Sequence, residues 1–266
     1  MARKSAATPI LMIFRPIILA IAAGASLAAG QDRAPVEPKS LPAPDQPMAE
    51  VKPSVEKIDE THFRIGTITF DQKTREIRFP GKVNMIEGLL EFLLVHENGK
   101  SHESLLTTDI SPTQLNLAFT LLRYPPSREL YALLNDHGGA SNNFPEVPAD
   151  VKAAARIIIE LEWKEDGKLR RLPANDLIQH TVKNTSMPAG PWVYGGSEFS
   201  DGKYAPELSG DIMAVFTTNS ALINYPGADD NNDEVWTPYP KRVPAVGTEV
   251  TLIITPFSKD KPPSKP

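Results

Sequence analysis

His96, His102 and Glu103 form the densest group of potential ligands in the chain, and imidazole with carboxylate suits zinc or another divalent ion. Whether they meet depends on Asn98-Gly99, a dipeptide that favours a type I′ hairpin because both of its central positions need positive φ. A two-residue loop pairs Val95 with His102 and turns the imidazoles to opposite faces of a sheet. A three-residue loop, Asn98 to Lys100, pairs His96 with His102 and brings them together. The Asn-Gly preference selects the first register, so the sequence favours a role in ordering nearby backbone over a shared metal.

A second candidate is the acidic run Asp229-Asp230-Asn231-Asn232-Asp233-Glu234, in which Asp229, Asn231 and Asp233 offer oxygens at alternating positions, as calcium requires. It is no EF-hand, since Glu234 stands where the loop glycine belongs and Pro240 where the bidentate glutamate belongs. The plain alternative is a solvated turn. Aromatic residues beside glycines, Trp192 and Tyr194 before Gly195-Gly196 and Trp236 further on, offer a platform for stacking a sugar ring or peptide, although such a stripe also suits a core. Nucleophilic catalysis has less support. No G-x-S-x-G elbow occurs, His137-Gly138-Gly139 lacks a serine context, and the S-x-x-K matches at Ser54 and Ser258 fall in the expected tails. There is no Gly-rich phosphate loop.

The elements that must position these groups begin after a marked amino terminus. Arg3, Lys4 and Arg15 precede an apolar run, Ile17 to Ala23, and the small residues Gly24 to Gly30, which together read as a cleaved signal peptide over 1–30. The run falls well short of the roughly 20 residues that span a bilayer, so membrane contact is expected only if the signal stays uncleaved. The chain of 266 residues has no cysteine, which excludes disulfides, thiol catalysis, cysteine-ligated metals and a lipoprotein anchor. Its net charge of −5 gives no electrostatic reason to expect nucleic acid. Residues 31–57 are proline-punctuated and polar, and read as a disordered linker, as do 258–266; the domain is expected over 58–257.

Within the domain, Phe63 to Phe70 and Arg75 to Phe79 alternate as strands around a hairpin at Asp71 to Thr74, with a bulge at Gly66 where the apolar phase slips. Leu89 to Val95 is a nearly continuous apolar run, expected as a strand covered on both faces, with a buried helix as the competing reading because periodicity alone does not decide. Ser111, Pro112 and Gln114 predict a capped helix start, Ile110 a staple onto Leu115, and Pro125-Pro126 a stop after Tyr124. Ile157 to Trp163 alternates into an Asp166-Gly167 turn, Asp211 to Phe216 and Val250 to Thr255 are further strands, and Asn219 can cap a helical turn through Ile223. Short strands outnumber helices without alternating with them, which predicts a single α+β domain with a largely antiparallel β-sheet and a few short helices.

Gly99 to Leu122 (GKSHESLLTTDISPTQLNLAFTLL), Trp192 to Phe199 (WVYGGSEF), Gly210 to Asn224, Asp229 to Trp236 and the closing Val243 to Pro256 resemble the YdjY-domain family of exported bacterial proteins of unknown function. The resemblance implies export and a single domain; it brings no catalytic residues with it. Two function classes follow. The preferred one is a non-catalytic domain in the periplasm or outside the cell that binds an envelope protein or a small ligand. The other is a metal-dependent envelope enzyme using His96, His102 and Glu103.

Overall fold

A computed structural model describes residues 54–200 and 202–258. The expected signal peptide, nearly all of the linker and all of the tail but Ser258 lie outside the described residues. Along the chain, β1 (Glu56–Lys57), β2 (His62–Ile65) and β3 (Ile68–Asp71) meander into β4 (Ile77–Val83), followed by β5 (Phe92–His96), β6 (Ser104–Thr108) and helix α1 (Pro112–Leu121). Helix α2 (Ala149–Ala154) leads to the hairpin of β7 (Arg156–Glu165) and β8 (Lys168–Pro173). Short strands come next: β9 (Ile178–His180), β10 (Thr185–Ser186), β11 (Trp192–Tyr194), β12 (Phe199–Ser200) and β13 (Lys203–Tyr204). Helix α3 (Ala205–Ser209), β14 (Asp211–Ala214), β15 (Ile223–Asn224), β16 (Trp236–Pro238) and β17 (Glu249–Pro256) complete the order.

Strands β4, β17, β7, β11, β15, β14, β5 and β6 follow one another around a ring, and β6 closes on β4 through Lys82↔Thr107 and Val83↔Leu106. The β14–β15 and β5–β6 pairs are parallel and the others antiparallel. This closed, mixed, eight-stranded barrel, with only three short α-helices among the described residues, overturns the expected α+β domain on a largely antiparallel sheet. The pairings that close it, such as β4 with β17, join opposite ends of the chain, and local turn signals carry no trace of them. A barrel of this size is filled by its own side chains. Ile77, Phe79 and Val83, Ile157, Ile159 and Leu161, and Val250, Leu252 and Ile254 point inward and are buried with Trp192, Ile223, Met213 and Leu106.

The hinge of the sequence argument, Asn98-Gly99, is not a hairpin. β5 and β6 run parallel, with Phe92 opposite Ser104 and Val95 opposite Thr107, so residues 97–103 fold back along the outside of β5 through a 3₁₀ turn at Ser101–Glu103. Gly99 is needed for close approach instead of a turn, because a Cβ there would lie 3.0 Å from the Ser209 carbonyl oxygen and 3.2 Å from the Gly210 Cα. This return covers β5, whose Phe92, Leu93, Leu94 and Val95 are all buried as the continuous apolar run predicts. Phe92, Val95, Ala214 and Ala221 form a small apolar cluster of their own, separate from the main core.

Other local expectations divide. The Asp71–Thr74 and Asp166-Gly167 hairpins form, the latter with φ of 50° and 76° as a type I′ turn demands. Gly66, with φ 57°, is the turn between β2 and β3 and not a bulge in one strand. Ser111 caps α1 by accepting from the Gln114 N–H at 3.3 Å, and Pro112 occupies the first turn. The helix stops at Leu121, ahead of the prolines, because Arg123 adopts φ 57°. Asn219 starts no helical turn, and Ile223 belongs to β15. Glu56 and Lys57, assigned to the linker from their surroundings, pair with Arg64 and Phe63 as β1.

Candidate functional site

The three aromatic residues expected to stack a ligand are core. Trp192 is fully buried and donates its indole N–H to Asn175 Oδ1 at 3.0 Å. Tyr194 stacks on Phe119 with ring centroids 4.2 Å apart and donates its hydroxyl to Asn116 Oδ1; burial pushes its phenol up to about 12. Trp236, also buried, donates to the Asp229 carbonyl at 3.0 Å and packs edge-on against His180 and Tyr225. None of these rings offers a face to solvent.

The candidate metal ligands are equally dispersed. His96 ends β5, where its Nδ1 accepts from the Asn98 N–H, whereas His102 is exposed on the return turn beside Glu103, at the Glu91 end of the strand. At about 3.3 Å per residue, roughly 16 Å of strand separates Glu91 from His96. Both registers weighed from the sequence assumed an antiparallel hairpin, and the parallel pairing removes the shared face. In the acidic loop, Asn231 and Asp233 are exposed while Asp229 is bound by the chain itself. Its Oδ2 takes Lys183 Nζ at 2.8 Å and the buried His180 Nε2 at 3.2 Å. The Lys183 ammonium is the main cause holding that carboxyl below the usual range, with His180 adding to it. Among the described residues, no group of three His, Asp or Glu is placed to hold a metal ion.

What the fold does assemble is a cleft on the outside of the barrel, about 840 Å³ in volume and open to solvent, lined by β6, β4, β17, β7 and the start of β8. Strand alternation explains its lining. On β4 the residues Ile77, Phe79, Gly81 and Val83 turn inward, leaving Arg78, Pro80 and Lys82 outside. Registration then sets Lys82 opposite Glu249 on β17 and opposite Thr107 on β6, and Thr251 opposite Glu162 on β7. Lys164 faces Leu169 across the β7–β8 hairpin. Glu97 and Asp109, just past the ends of β5 and β6, close one end, while Leu169, 64% exposed, marks the other.

Beneath this row the same face is knitted together by ion pairs, Arg78 Nη2 to Glu162 Oε1 at 2.6 Å and Arg171 Nη2 to Glu160 Oε2 at 2.6 Å. In the cleft itself, Lys82, Lys164, Glu97, Asp109 and Glu249 have no ion-pair partner among the described residues, and the hydroxyls of Thr107, Thr248 and Thr251 are likewise unengaged. Thr108 differs, donating to the Pro80 carbonyl at 2.7 Å and so fixing β6 against β4. The arrangement supplies donors, acceptors and both signs of charge on a rigid floor. No histidine lines it. Sequence reasoning missed these residues because they come from strands far apart in the chain. Their one signal, polar positions alternating outward in Ile77 to Val83 and Glu249 to Thr251, is that of any solvated strand face.

A family model for the YdjY domain matches residues 68–255, a span from the start of β3 to the last residue but one of β17 that takes in every barrel strand. The chain belongs to the YdjY-domain family. No curated protein and no solved structure matches it. The YdjY match thus covers every strand that lines the cleft and omits β1 and β2, which pair outside the ring.

Proposed function

We infer that this YdjY-domain chain is a non-catalytic binding domain of the bacterial cell envelope, exported by its amino-terminal signal, with the outer-face cleft as its ligand site. The observation that carries the binding reading is the row of unpaired charges and free hydroxyls held on barrel strands. Solvated strand faces usually bring opposite charges on neighbouring strands together, as Arg78–Glu162 and Arg171–Glu160 do one row below. Leaving the next row unpaired within a concave site of ligand-binding volume preserves its interactions for a partner. Export rests on the charged, apolar and small-residue segments at the amino terminus.

Each half has its own test. After expression of the full chain in a bacterium, the protein is expected in the periplasmic fraction with a mature terminus near residue 31; intact Met1 in the cytoplasm would sink export. Hydrogen exchange with and without a soluble envelope extract is expected to show protection at Pro80 to Val83 and Glu249 to Thr251. Protection confined to other surfaces would move the site elsewhere.

A further inference from the structure

We propose that the cleft takes an extended basic polypeptide segment whose cationic end lies at Glu97 and Asp109 and whose aliphatic end lies on Leu169. The proposal rests on the cleft being the ligand site, and its argument is the order of groups along it.

From β6 to β8 the cleft crosses four strand spacings, about 19 Å at roughly 4.8 Å each, which matches about six residues of extended chain. In the middle, Glu249 sits opposite Lys82, and the register pairing Thr251 with Glu162 brings it towards Lys164. One carboxylate between two ammoniums leaves that stretch with one positive charge in excess, so a cationic group finds its complement at the carboxylates of the β5–β6 end. The hydroxyls of Thr107, Thr248 and Thr251 stand along it, matched to amide N–H and C=O groups. At the β5–β6 end, Glu97 and Asp109 have no ion-pair partner among the described residues, so a guanidinium or ammonium is the complement there. Leu169 at the far end is apolar and exposed, and is suited to an aliphatic side chain.

Other occupants fit less well. A pyranose ring packs its C–H face on an exposed aromatic. The one aromatic here, Trp163, is 4% exposed and belongs to the inner core. Nucleic acid and anionic lipid headgroups meet two carboxylates at one end.

The test pans a phage-displayed dodecapeptide library against the immobilised full-length protein, with E97Q/D109N and L169S variants in parallel. All three positions are at the surface, so the variants fold. Enriched peptides are expected to carry Lys or Arg about five or six positions from Leu, Ile or Val. A fluorescent copy of the consensus should bind at least about tenfold more weakly to E97Q/D109N, with a salt dependence that the variant loses, and about threefold more weakly to L169S. Consensus peptides without basic residues, equal binding to E97Q/D109N, or no enrichment overturns the proposal. If a glycan array or a small amine gives cleft protection in hydrogen exchange where peptides do not, the cleft stands and the peptide falls. Peptides that protect only another surface remove the cleft as well.

Discussion

The two sides of the barrel are finished in opposite ways. Around β5 and β14 the outer surface is clothed: the 97–103 return lies against β5, Gly99 touches Gly210, and Phe92, Val95, Ala214 and Ala221 are sealed beneath. Around β4 and β17 the outer surface is bare, and its Lys82 and Glu249 face water without ion-pair partners among the described residues. On the clothed side the buried Asp211 accepts from the Ser220 hydroxyl at 2.5 Å through Oδ2, while its Oδ1 has no hydrogen-bond partner among the described residues. The contrast separates residues the fold needs from residues it does not, and the second kind are the candidates for recognition.

That division is open to measurement. Phe92→Ala, on the clothed side, should cost about 3–5 kcal/mol in urea unfolding, since it empties a sealed site; a loss below about 1 kcal/mol would show the cluster to be loose. Gly210→Ala should follow at about 2–4 kcal/mol, because Gly210 has φ 80° and a Cβ would lie 2.8 Å from the Gly99 Cα.

Smaller and dependent on pH is Glu207→Gln. The Glu207 carboxylate accepts from the Ser111 hydroxyl and from the Thr113 N–H and hydroxyl at the start of α1. Partial burial works against its ionisation, but these hydrogen bonds outweigh it and hold the carboxyl below its ordinary 4.5. A depressed carboxyl stabilises above the unfolded value and loses that contribution as pH falls through the folded one. The variant should therefore be about 1 kcal/mol less stable at pH 7, solvent screening included, with the gap closing below about pH 4. A gap unchanged at pH 3 would mean that the charge is not what caps the helix.

Least of all, Lys82→Ala with Glu249→Ala on the bare side should leave stability within about 0.5 kcal/mol. A loss comparable to Phe92→Ala would erase the distinction.

What could be read in advance follows the range of the forces involved. The Ser111 cap, the Asp166-Gly167 turn and the double burial of β5 are set by residues within a few positions, and each is present. Asn98-Gly99 misled because the dipeptide's ordinary use is a turn, whereas here Gly99 lets one backbone segment lie against another brought from Gly210. The barrel went unseen for the same reason, since β17 finds β4 and β7 by packing and not by any adjacent signal. Of the site, individual polar residues were visible but their assembly was not. The conspicuous aromatics proved to be core, as large side chains on inward positions usually are.

The place of β17 bears on the order of events in folding. It is the last strand among the described residues, yet Leu252 pairs with Phe79 on one side and Leu161 on the other. The ring cannot close until that strand has emerged, and its long-range pairings make closure slow compared with local hairpins. A chain released from its amino terminus onward holds β4 and β7 with their facing edges unpaired until β17 is free, so the barrel closes late.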